Sequence, residues 1–167
     1  MPRKSETETA DYITTALLLL MEKKAFSRIT VTEVCEKAGV SRMSFYRCFP
    51  SRLDILRRKC AAITDEFLQR SGLSFQRDPL QQYLITLFTH LYQHRDLIEL
   101  LRRSDLLYII KDDITRVFLS LYENVYGEYK ARFISGGLFD VFCLWVQNGF
   151  RETPEELALQ LRHMLEQ

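Results

Sequence analysis

The chain of 167 residues is 47% apolar, 27% charged and 12% aromatic, with only 6 Gly and 4 Pro; this is a soluble globular composition that leans toward helix, and it is long enough to hold a core without disulfide or metal. Its net charge of +1 argues, taken whole, against a nucleic-acid binder, but residues 1–60 carry a net +5 and residues 61–167 a net −4, the distribution of a DNA-binding head on a separate regulatory or dimerising body, with chance asymmetry as the plain alternative. Cys35, Cys48, Cys60 and Cys143 form no CxxC pair, nothing at the start resembles a signal peptide, and the longest apolar runs (16–21, and 138–146 broken by Asp140) fall short of a membrane span, so a cytoplasmic protein with reduced thiols and no membrane partner is expected.

In chain order, Ile13, Ala16, Leu17, Leu20 and Met21 recur at helical spacing and predict a first helix over about 7–24. Residues 30–38 and 41–48 follow as two short helices separated by Gly39-Val40, and Pro50 ends the second. Ser51 is a candidate N-cap with Asp54 three residues on, and Leu53, Leu56, Cys60, Ile63 and Phe67 mark a long helix ending near Gly72. Asp78-Pro79 is a helix-start signal; Leu80, Tyr83, Leu84, Leu87, Phe88 and Leu91 give the next helix its apolar face. One or two helices lie between Arg95 and Tyr126, with a break near 103–105. Residues 130–149 are apolar almost all round, which demands partners on most sides, and Thr153-Pro154 opens a last helix bearing Leu157, Leu161, Met164 and Leu165.

The segment 31–49 has the parts that two helices crossing at about 90–120° need. Cys35 is small where the helices touch, and Gly39 tolerates positive φ in the turn. Val40, Phe45 and Phe49 lock the second helix onto Val34 and Ala38. Ser41 caps that helix, so Arg42, Met43 and Ser44 point outward, where a recognition helix reads base edges in a major groove. Any two-helix hairpin with a glycine turn is the bland alternative, but such a hairpin has no use for Arg42, Arg47, Arg52 and an exposed Tyr46 on one short helix and its flank.

Residues 13–56, above all the run from Thr30 to Leu56 (TVTEVCEKAGVSRMSFYRCFPSRLDIL), resemble the DNA-binding domain of the TetR family of bacterial regulators. Gly136-Gly137, residues 138–145, Gly149 and 153–157 are more loosely similar to the last two helices of some members. The resemblance implies an all-α fold of about nine helices: a three-helix DNA-binding head with a helix-turn-helix over 1–50, and a helical ligand-binding and dimerisation domain over 51–167. It implies that Thr32 and Tyr46 bond phosphates and that Arg42, Met43 and Ser44 face bases. Arg52 stands at a phosphate-contacting position where the family usually has Lys, and Cys48 where a His or Tyr commonly stands, with Arg47 beside it to compensate. The candidate DNA-facing set is therefore Thr32, Ser41, Arg42, Met43, Ser44, Tyr46, Arg47 and Arg52.

The same resemblance implies a homodimer on a near-palindromic operator, acting as a repressor that a small hydrophobic or aromatic ligand releases. The paired helices 130–149 and 154–165 would form the dimer interface through Ile134, Leu138, Val141, Trp145, Leu157, Leu161 and Met164. The aromatics Tyr83, Phe88, Tyr92, Tyr108, Phe118, Tyr122 and Phe142 are candidates for the ligand cavity, or plain core. His90 and His94 have the spacing of a two-His metal half-site but lack a third ligand and an HExxH glutamate, so a surface or pocket-lining pair is expected, with no cofactor. Asp112-Asp113 read as solvated or capping charges. Nothing resembles a catalytic triad or a nucleotide loop, and no enzyme is expected. The alternative function is a co-regulator working through protein contacts.

Overall fold

The computed structural model describes residues 5–72 and 80–165, and among them every regular element is helical. Helix α1 (Glu6–Met21) begins at a capping box: the Ser5 hydroxyl accepts from the Glu8 amide while the Glu8 carboxylate accepts from the Ser5 amide at 2.8 Å. Its apolar stripe buries Ile13, Ala16, Leu17 and Met21. A 3-10 turn (Phe26–Arg28) leads to α2 (Val31–Ala38), which opens with a second capping box between Thr30 and Glu33. A cap of this kind is worth about 1 kcal/mol, a large share of what an eight-residue helix needs.

Gly39, at φ 65°, terminates α2. Its amide and that of Val40 return to the Glu36 and Cys35 carbonyls at 3.2 and 3.0 Å, satisfying the helix end while the chain reverses. Ser41 then caps α3 (Arg42–Cys48) by accepting from the Ser44 amide. Phe45 is fully buried and Phe49 nearly so, and these two rings hold α3 against α1 and α2. Both short helices pack on α1, so the head is a three-helix unit with the turn at one corner.

Helix α4 (Arg52–Ser71), capped by Ser51, runs from the head into the body and packs against α7 (Tyr108–Tyr126). Helix α5 is described from Leu80 to Gln93; the Asp78-Pro79 start signal lies outside the described residues. Helix α6 (Arg95–Arg103) follows almost without a break. The stretch 95–126 thus holds two helices, α6 and α7, split by a turn at 104–107 in which Asp105 has φ 57°. Helix α8 (Glu128–Gln147) lies along α7, and α9 (Pro154–Leu165) along α5.

The turn between α8 and α9 is tight. Gly149 and Phe150 both sit at positive φ, 68° and 56°, a costly conformation for a phenylalanine. Its ring compensates by packing edge-on against Trp145 at 4.9 Å. Trp145 is itself 1% exposed, meets Phe88 edge-on at 5.4 Å, and donates its indole N–H to the Glu152 carbonyl at 2.8 Å. This knot joins α5, α8 and the start of α9.

Candidate nucleic-acid interface

The outer face of the head is built by what the core takes away. Phe45 points inward, so the residues around it on α3 must point out: Arg42, Tyr46 and Arg47 are exposed, and Met43 is 82% exposed. A methionine left so bare is out of place on a purely structural hairpin and suits apolar contact with base edges. Tyr46 is half exposed, its ring held edge-on to Phe45 at 5.3 Å; the core therefore fixes the ring while its hydroxyl side faces solvent. Thr32, in the first turn of α2, is exposed on the same head. Among the expected set, Thr32, Arg42, Met43, Tyr46 and Arg47 are free to meet a ligand.

The other three are partly committed to structure. The Ser41 and Ser44 hydroxyls bond each other at 3.0 Å, inside the cap of α3. Arg52 is half-buried: its Nη1 donates to the Phe26 carbonyl at 2.7 Å and to the Ile29 carbonyl, and its guanidinium lies over the Phe26 ring at 4.8 Å. Arg52 ties the start of α4 to the end of the 3-10 turn, so only its remaining guanidinium donors are left for a phosphate. Cys48 is turned toward α1, its Sγ 3.9 Å from the Glu6 carbonyl.

A feature the sequence reading missed braces α2 from behind. Glu33 accepts from the Thr30 amide and hydroxyl and pairs with Lys24 across nine residues. The lysine and the threonine bonds hold its carboxyl at about 2, well below the usual carboxylate value of 4.5. The sequence reading named neither half of this arrangement: the Thr30–Glu33 spacing of a capping box went unremarked, and the lysine's reach depends on how the 3-10 turn folds back.

In the body, two adjoining cavities of about 70 and 60 Å³ lie between α4, α5, α7 and neighbouring helices, sharing Thr64, Phe67, Leu87, Leu91 and Ile114 in their walls. Tyr83, Phe88, Phe118 and Phe142 line the first. Tyr92 does not; it packs outside against Trp145 and Phe150, with Arg95 over its ring. Tyr108 is exposed, and the side chain of Tyr122 lies outside the described residues. His90 and His94 line the second cavity, their rings 4.9 Å apart, and a His90 ring nitrogen bonds the Ile63 carbonyl at 2.9 Å. No group of three or more potential metal ligands occurs among the described residues. Asp113, expected as a solvated or capping charge, is buried in the second cavity's wall.

The interface expectation needs a larger correction. Ile134, Leu138, Trp145, Leu157 and Leu161 are all buried inside the single subunit, and Leu138 lines the first cavity. They have almost no surface left to give a partner. Val141 is half-buried and Met164 exposed, and the outward faces of the same helices carry Phe133 (80% exposed), Leu144 (55%) and Leu159. A helix apolar all round told the sequence reading that both faces are covered, not which face the subunit itself covers.

A helix-turn-helix presented from a three-helix head, joined by a long helix to an all-helical body, defines a DNA-binding transcriptional regulator. Two family profiles match the chain: "Bacterial regulatory proteins, tetR family" over residues 13–58, and "Transcriptional regulator C-terminal region", a TetR-type profile, over 78–167. The chain belongs to the TetR family of bacterial transcriptional regulators. No curated protein matches it. Its fold is that of Lin0861 from Listeria innocua, at 16% identity and a TM-score of 0.79 over 99% of this chain and 95% of that one. It is also similar to a TetR transcriptional regulator from Streptococcus agalactiae, at 22% identity and a TM-score of 0.70 over 95% and 94%. Among the described residues no helix is long and apolar enough to cross a membrane.

Proposed function

We propose that two copies of this chain bind one near-palindromic operator as a repressor, and that a small apolar ligand in the body releases it. The observation that carries the reading is the outward α3, where a cap, a left-handed glycine and a buried Phe45 leave Arg42, Met43, Tyr46 and Arg47 facing solvent. Arg42 and Met43 choose sequence by meeting base edges, Arg42 best suited to guanine O6 and N7. Thr32, Tyr46 and Arg47 hold the backbone and fix register. Arg52 contributes through the donors that its internal bonds leave over.

Dimerisation through the outer faces of α8 and α9 is supported by Phe133, Leu144, Leu159 and Met164, and by two glycines. Gly136 and Gly137 sit inside α8, where each costs about 1 kcal/mol relative to alanine. A Cβ at either would meet nothing within 4 Å of the same subunit, so the subunit's own packing does not require them. Close approach of a second α8 supplies the missing reason. A two-fold pair places its recognition helices about 34–36 Å apart, one turn of DNA.

Release follows if ligand favours a body that holds the heads at another spacing, since an effector shifts the equilibrium only by its differential affinity for the two states. Helix α4, packed on α7 in the body and capped beside α3 in the head, is the element that would carry the change. The test is selection of sequences from a random duplex pool with the full chain, followed by anisotropy titration. Symmetric half-sites about 10 bp apart with a steep loss of affinity in salt support the reading. A selected pool without symmetry rejects the dimeric operator.

A further inference from the structure

Among the described residues, Asp113 is the one acidic side chain in the wall of the second cavity, whose other members are mostly aliphatic and aromatic. Its side chain is nine-tenths buried. Oδ1 is paired with Arg116, whose own side chain reaches solvent, whereas Oδ2 is sealed from solvent with no hydrogen-bond partner. An acceptor of this kind left unmade is expensive, and more so when it carries charge. The neighbours do not supply a donor. The Thr64 hydroxyl is given to the Cys60 carbonyl at 3.3 Å, and His90 is occupied with Ile63.

The cavity also feels the carboxylate. Burial first, and then the negative charge of Asp113, push the Cys60 thiol up to about 12, so it stays protonated. His94 is held below the ordinary histidine value, by burial and then by His90 beside it. Among the described residues no Lys or Arg lines this cavity; Arg57, Arg58 and Arg116 meet Asp113 from the outer cleft on its other side.

We propose that the ligand of this body is a small apolar amine, whose ammonium donates to Asp113 Oδ2 while its hydrocarbon part fills the two adjoining cavities. Phe67 is common to both walls. An engineered apolar cavity of about 150 Å³ accepts benzene, and the paired spaces of about 70 and 60 Å³ suit one ring or a short branched chain rather than a drug-sized molecule. The inference deepens the reading of the body as a ligand sensor and rests on it, but its test measures binding, not operator release.

Calorimetry on the full chain with benzylamine, benzyl alcohol and toluene makes the comparison. Benzylamine is expected to bind about ten- to a hundredfold more tightly than toluene, the span of one charge-assisted hydrogen bond. Asp113→Asn keeps the shape and removes the charge; it should erase most of that preference while toluene binding holds. Leu87→Phe, which fills the shared wall, should weaken all three probes. Equal binding of benzylamine and toluene overturns the proposal, as does an unchanged preference in Asp113→Asn or unchanged benzylamine binding in Leu87→Phe. If benzylamine binds as described and operator affinity does not move, the sensor reading fails and the amine site stands. If none of the probes binds and some acidic or neutral metabolite releases the operator, the amine site fails and the sensor reading stands.

Discussion

Head and body use the same residue types for different ends. In residues 5–49 each α-helix starts at a local side-chain cap, the two motif helices α2 and α3 are only 8 and 7 residues long, and a single buried phenylalanine decides which side of α3 faces out. In residues 80–165 the two longest helices, α7 and α8, lie along each other, and the helices are oriented mainly by mutual packing, as the knot of Phe88, Trp145 and Phe150 shows. Caps fix direction with bonds between neighbours in sequence; packing fixes direction with bonds between strangers. The head should therefore tolerate changes in its exposed face and fail locally, whereas the body should fail as a unit.

The largest test of that contrast is Trp145→Ala. It leaves a cavity among α5, α8 and α9 and orphans the Glu152 carbonyl, so a loss of about 3–5 kcal/mol is expected in denaturant unfolding. A variant that merely changed oligomeric state with stability intact would put Trp145 at the interface after all. Next, Phe133→Asp with Leu144→Asp should leave a folded subunit that sediments as a monomer and loses tight operator binding. Then the head: Tyr46→Ala should weaken binding to all duplexes about equally, whereas Arg42→Ala should relax discrimination at particular base pairs by about 1–3 kcal/mol, read by anisotropy on operator variants. Gly39→Ala meets no clash, so it should cost only the backbone strain of a left-handed alanine, about 1 kcal/mol in thermal melting.

The smallest effect is acid sensitivity of the head. Glu33 has a folded value near 2 against an ordinary 4.5; its folded value is depressed, so its contribution is present above 4.5 and is lost as pH falls from there toward 2. Glu33→Gln should flatten that limb of an acid titration of head stability. An unchanged limb would mean the Lys24–Glu33 brace is not formed in solution.

Much of the head was legible because its signals are local. Ser41, Gly39 and Ser51 with Asp54 act on residues within four positions, and periodicity does the rest. Arg52 escaped because its partners, the Phe26 and Ile29 carbonyls, lie more than twenty residues away. In the body, helix existence was legible and helix facing was not. The pattern over 130–149 cannot distinguish Trp145, spent inside, from Leu144 beside it, which points out. Asp113 escaped for the same reason: a charged residue reads as solvated until a neighbouring helix covers it.

The account depends most on two copies of α3 being offered to one duplex. Sedimentation of the full chain with a duplex selected from a random pool, repeated across a salt series, tests this directly. Two subunits per duplex, a symmetric site with half-sites about one helical turn apart, and affinity falling linearly in log–log form with salt are predicted. One subunit per duplex, or binding indifferent to salt, contradicts it.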